Sequence, residues 1–387
     1  MAEKITSINN KMLIWAREES NTTLQVAEQR FENIRKWESG DDYPTYAQLR
    51  LLSNFYKKPI AVFFFPEAPV LKSISSSFRT LPTNAFSHII NREITKTINW
   101  ARVMQLNLYE LTDCINPASI NLIDCSFNTA SINNTAKQLR RLLGASLCEQ
   151  KRIGKLSSAF EYWRDHFFQI GVFIFKEAFK DDGISGFCLY DDVFPIICVN
   201  NSLSYSRQIF TLFHEIYHLI HHTGGIDLLD DTLINSQFNK ELEIEQNCNN
   251  FASEFLVPDD DFTDVAKHIR TISDQEVEEL ANLYKVSREV IMRKFLNRKL
   301  ISNEQYEKNR DKYNKDYLRY AEEEKKKNKD GGYYYPTQLA YKGKHYTELA
   351  FRGYYAQKYS ITHLANFMGM KVSSVQSIAS KKGWGTL

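Results

Sequence analysis

His214-Glu215-Ile216-Tyr217-His218-Leu219-Ile220-His221-His222 is the stretch on which the rest of the chain hangs. Read as a helix, it sends the imidazoles of His214 and His218 from one face, a turn apart. Zinc accepts imidazole nitrogen, and a catalytic zinc site needs three protein ligands and an open place for water. Glu215, between the two histidines in the pattern H-E-x-x-H, stands where it reaches such a water as general base. Phe210, Leu212, Phe213, Leu219 and Ile220 suit a buried helix. The competing reading is a helix whose histidines are ordinary core or surface residues. The flanking chain has to decide.

Downstream, Thr223-Gly224-Gly225 breaks the structure, and a second helix is predicted from Glu241 to Pro258. It has to supply a third ligand onto the open face of the histidine pair, and a carboxylate oxygen is acceptable to zinc. Glu241, Glu243, Glu245 and Glu254 compete for that place. Glu245 lies close to the face of the apolar pair Phe251 and Phe255, about two turns before it. Asn249, one turn on, is placed to hold a ligand imidazole by its other ring nitrogen. Upstream, 88–113, 131–144 and 155–169 read as helices, the last with an aromatic stripe (Phe160, Trp163, Phe167, Phe168) that belongs to a core. Gly171–Phe175, Ile184–Tyr190 and Phe194–Asn200 read as strands, the last two joined as a hairpin through Asp191-Asp192-Val193.

The text from Ile197 to Pro258 resembles the ImmA/IrrE family of metallopeptidases. Its landmarks are Val199-Asn200, then Arg207-Gln208-x-Phe210-Thr211-Leu212-x-His214-Glu215-x-x-His218, and later Glu245-x-x-Cys248-Asn249-x-Phe251-Ala252 before Leu256-Val257-Pro258. The resemblance implies His214, His218 and Glu245 as metal ligands and Glu215 as catalytic base. His222 matches a histidine often found there and is read as supporting or solvent-facing. Tyr217 stands where the family often has a small residue, which narrows the site. The family also implies a zincin-like domain, a small antiparallel sheet before the metal helix, and substrate added as a strand at the sheet edge. Zinc is the expected cofactor, and manganese is held tolerably by the same donors. Tyr205, Arg207, His221 and His222 are near in sequence, but none is assigned to an oxyanion.

At the N-terminus, Trp37-Glu38-Ser39-Gly40 followed by Pro44-Thr45-x-x-Gln48-Leu49 resembles the helix-turn-helix domain of Xre-type repressors. Lys58–Pro66 is similar to the end of that domain where it is fused to a peptidase. The chain is a few residues short between Ala27 and Trp37, which crowds the turn before the recognition helix. A Ser-rich linker and Phe78-Arg79-Thr80-Leu81-Pro82 follow. Beyond the metal helices, Leu280–Ile291 and Ile361–Gln376 each read helix, turn, helix. Residues 303–330 read as a charged helix fading into a linker. Lys342, Lys344, Arg352, Lys358, Lys371, Lys381 and Lys382 make the C-terminal end basic.

The expected organisation is therefore α+β and mostly helical. A helix-turn-helix domain spans 1–70, a zincin-like metallopeptidase domain 71–300, a charged helix and linker 301–332, and a helical domain 333–387. A net charge of +2 on 387 residues gives no electrostatic ground for nucleic-acid binding by the whole chain. Six cysteines without a C-x-x-C spacing suit free thiols and a cytoplasmic setting. The longest apolar run, Ile60–Pro66, is too short to cross a membrane. The expected function is a zinc endopeptidase acting on a regulatory protein, by resemblance a helix-turn-helix repressor. DNA is a further expected partner through either helical end. The rival is a DNA-binding regulator or antitoxin-like scaffold whose metal is structural or sensory.

Overall fold

Two short helices open the described chain. In a computed structural model of the chain, α1 (Asn10–Glu19) starts on the Asn9 side chain and α2 (Leu24–Arg30) on Thr23. Each cap accepts a backbone N–H that a first turn leaves unpaired. The structure describes residues 4–67 without 21, 57 and 59, then 91–180, 183–228, 239–269, 271–327 and 334–382. Phe78–Pro82 lies outside them. Among the described residues, those up to Trp100 form one compact unit and those from Ala101 onward another.

In the first unit, α3 (Ile34–Ser39) stops at Gly40, whose φ of 86° is the left-handed cap a side chain disfavours. α4 (Tyr46–Tyr56) starts on a reciprocal pair. Thr45 N–H donates to Gln48 Oε1 at 2.8 Å, and Gln48 N–H donates to Thr45 Oγ1 at 3.4 Å. Leu13, Ala27, Ile34, Trp37, Leu49 and Leu52 close one core, with a 3₁₀ turn at Ile60–Phe64 adding Phe63.

The boundary between the units falls within α5 (Arg92–Leu111). In the second unit α6 (Ile132–Leu142), α7 (Leu147–Arg152) and α8 (Leu156–Gln169) precede three strands. These are β1 (Phe173–Glu177), β2 (Ile184–Leu189) and β3 (Ile196–Asn200). α9 (Tyr205–Ile220), β4 (Ile226–Leu228) and α10 (Asn239–Leu256) follow. α11 (Asp259–Ala266), α12 (Asp274–Tyr284), α13 (Arg288–Asn297) and α14 (Asn303–Lys327) come next. α15 (Tyr334–Lys342), α16 (Lys344–Tyr355), α17 (Ile361–Met368) and α18 (Val372–Lys382) end the chain.

The sheet order is β1-β3-β2-β4, and the sheet is mixed, which corrects the antiparallel sheet expected from sequence. β2 and β3 form the expected hairpin, Phe187 opposite Cys198. β1, however, runs parallel to β3, Phe175 opposite Cys198. Three successive strands alternate in direction, so placing the third between the first two makes it parallel to the first. β2 and β3 are buried along their whole length. A sheet covered on both faces has no reason to alternate apolar with polar residues. α9 packs on β2 and β3 and also on α8 and α10. No helix among the described residues is long and apolar enough to cross a membrane.

Candidate metal centre

Every residue from Thr211 to Ile220 is buried, so α9 carries its histidines through the interior of the unit. It starts on Ser204, whose hydroxyl accepts the Arg207 N–H at 3.3 Å. After its last turn, Thr223 N–H and Thr223 Oγ1 both donate to His218 O at 3.0 Å, which bends the chain back toward β4. Gly225 then passes so near that a Cβ on it would lie 2.2 Å from His218 Cδ2.

α10 brings Glu245 against both histidines. Glu245 Oε2 is 3.0 Å from His214 Nε2, and Oε1 is 3.5 Å from His218 Nε2. His214 Nδ1–H donates to Asn249 Oδ1 at 3.1 Å, which leaves Nε2 as the nitrogen that turns toward Glu245 and would meet a metal. Asp227 on β4 lies 4.0 Å from His214 Nδ1 and is itself held by Arg207 at 2.7 Å and Thr211 Oγ1 at 2.8 Å. Cys248 Sγ is 3.3 Å from His218 Nε2. The ligand atoms of His214, His218, Glu245 and Cys248 all lie within 4.8 Å of one another.

The other acids weighed in the sequence go elsewhere. Glu243 is exposed, and the side chain of Glu241 lies outside the described residues. Glu254 accepts from Asn133 Nδ2 at 2.8 Å and from Lys294 Nζ at 3.1 Å, in an ion cluster that fixes the far end of α10. His221 and His222 are exposed. His222 adopts a φ of 55° and places Nδ1 3.0 Å from Tyr190 OH, a supporting contact. Arg207 meets the cluster through Asp227, and the Tyr205 ring lies under Lys176 Nζ at 4.6 Å.

The electrostatics are those of a cation site. Burial alone would depress His214, but Asp227 and Glu245 outweigh it and raise its pKa to about 10. Burial pushes Glu215 up to about 7, with His218 and His214 opposing it. Burial also works on Glu245, yet the two imidazoles hold it well below the usual carboxylate range. Burial raises the Cys188, Cys198 and Cys248 thiols, so in the chain alone they are neutral. Both carboxylate oxygens of Glu215, Oε1 of Glu245 and Nδ1 of His218 are buried with no hydrogen bond of good geometry among the described residues, only the Cys188 thiol standing beside Glu215 and His218 Nε2 beside Glu245 Oε1. Buried polar atoms left unsatisfied are costly. Nitrogen and oxygen donors converging at this spacing fit a divalent metal.

Cys248 was a landmark of the resemblance and Gly225 part of a predicted break, but neither was assigned to the site, and Asp227 was not singled out. Cys248 carried a signal, since it follows Glu245 by about one helical turn. Asp227 carried none, because a three-residue strand has too few positions to show a pattern.

Comparison with known proteins finds no match among curated proteins and none among solved structures. Residues 169–296, which hold β1 through α13, match the family model Peptidase_M78, described as the IrrE N-terminal-like domain, and this supports a metal-dependent peptidase.

Proposed function

We propose that this chain is a metal-dependent endopeptidase that cuts a regulatory protein, with His214, His218 and Glu245 holding the metal and Glu215 moving the proton. The observation that supports it best is the placement of Glu215. A carboxylate fully buried beside two imidazoles, with no charged or amide donor among the described residues and only the Cys188 thiol to serve it, is a poor structural choice and a good base. Zinc, the expected ion, supplies a Lewis acid that polarises a scissile carbonyl and acidifies water. Glu215, raised to about 7, takes a proton from that water on a carboxylate oxygen. It then returns the proton to the departing amine, so one group serves both halves of the reaction. Asn249 and Asp227 fix the His214 ring, and Gly225 fixes the His218 ring.

The substrate is a helix-turn-helix repressor or similar regulatory protein cut at a defined site, a reading that rests on the family resemblance. β4, at the edge of the sheet beside the cluster, would receive it as an added strand. Purified wild type should hold one equivalent of zinc, lost in His218→Ala and Glu245→Ala. Glu215→Gln should keep metal and fold but lose cleavage, read by mapping new protein N-termini in cells that express either form. Identical termini in the two would sink the mechanism.

A further inference from the structure

Cys248 is one turn beyond Glu245 on α10 and as deeply buried, and its Sγ faces the same imidazole nitrogen that Glu245 faces. Three ligands would satisfy a catalytic metal and leave a place for water. Here a fourth, softer donor converges with those three. We propose that the Cys248 thiolate is a fourth metal ligand, which closes the position that water needs and keeps the site latent until the sulfur leaves. The idea rests on the metal reading above and deepens it.

The spacing supports ligation. Bonds of about 2.0–2.3 Å to a tetrahedral zinc place neighbouring donor atoms about 3.3–3.7 Å apart. His218 Nε2 is 3.3 Å from Cys248 Sγ and 3.5 Å from Glu245 Oε1, while the 3.0 Å between His214 Nε2 and Glu245 Oε2 is slightly closer. A thiol hydrogen bond to His218 would give a similar contact. It would, however, spend the Nε2 lone pair that the metal requires, for the return of a weak S–H donor. Ligation releases the thiol proton to solvent and forms a metal–sulfur bond, and a coordinating thiol is deprotonated outright. Zinc takes thiolate and imidazole together, and a four-ligand set without water is the arrangement of structural sites. Cys188 is also buried nearby, but its Sγ is occupied by the Gly225 N–H at 3.2 Å and is not among the converging donors.

The test replaces zinc with cobalt(II) in the full-length protein and records the near-ultraviolet spectrum. Wild type should bind one equivalent and show the thiolate-to-cobalt charge-transfer band. Cys248→Ala should bind cobalt without the band, and its zinc form should lose the sulfur shell at about 2.3 Å in X-ray absorption. It should also release the wild-type set of new N-termini in higher yield. Cobalt bound by wild type with no band would overturn the sulfur ligand and leave the three-ligand site standing. A band in wild type with no gain of cleavage in Cys248→Ala would overturn latency. No cobalt bound by wild type would remove the metal reading itself, and this inference with it.

Discussion

Gly225 shows how tightly single residues set this site, since a Cβ there would also lie 2.6 Å from His218 Nε2, the nitrogen that faces Glu245. The methyl group of Gly225→Ala must therefore displace either the ring or the turn that carries it. Metal affinity in that variant should fall about 10–100-fold, the usual cost of disturbing a ligand's support. Competition against a chelator would measure it, and an unchanged affinity would show that the ring is not held by this contact. His214, Glu215 and His218 were legible in the sequence because helical spacing fixes which side chains share a face. Helical spacing alone left Glu241, Glu243, Glu245 and Glu254 competing; the resemblance implied Glu245, with Asn249 four residues on from it. Asp227 was not legible, because its place beside His214 depends on how β4 pairs with β2. Spacing along one element can be read from a sequence; distance between elements cannot.

At the scale of elements, the hairpin of β2 and β3 was legible from its turn, whereas the parallel place of β1 was not. Nothing in Phe173–Glu177 says which neighbour it will choose, since every inward residue there is apolar or aromatic except one. That exception is Lys176, 3% exposed, with Nζ 3.7 Å above the Phe160 ring and 3.7 Å from Glu161, which is half exposed. Burial lowers its pKa from 10.5 to about 8, with Glu161 opposing the shift. Between those two values the unfolded chain keeps a proton that the folded chain has released, so the stability contributed here rises with pH. Below about pH 8 both forms are charged and the folded one bears the whole desolvation cost. Lys176→Met should accordingly stabilise the second unit at pH 7 by about 1 kcal/mol after the lost ring contact is counted. The gain should shrink in denaturant melts taken toward pH 10. A gain that is the same at both pH values would place its origin elsewhere.

On the scale of the whole second unit, a buried arginine helps fasten the C-terminal helices, beside contacts such as Asn107–Tyr346 and Asn201–Tyr341. Arg164 on α8 donates to Ile174 O in β1 at 3.0 and 2.7 Å, to Ala340 O at 2.7 Å and to Tyr341 O at 2.8 Å. Gly343, with a φ of 84°, leaves room for the guanidinium, which a Cβ would meet at 2.4 Å. Gly343→Ala should cost about 1–3 kcal/mol from the backbone conformation alone. It should also release 334–382 to protease before the residues around α9, and digestion that cuts both at one rate would refute the clasp. The last two helices were legible from Ile361–Gln376, whereas α15 and α16 were not read, and Lys342, counted with the basic residues, is buried. The attachment of this end was not legible, because the carbonyl groups that Arg164 serves at Ala340 and Tyr341 lie far from it along the chain. Trp163 sits between these scales, one turn before Phe167 on the same helix as Arg164. Its ring is fully buried, 4.9 Å from Phe213 on α9 and 5.5 Å from Phe255 on α10. The indole thus packs against a ring from each ligand-bearing helix at once, so its fluorescence should shift when a metal draws His214 and Glu245 together.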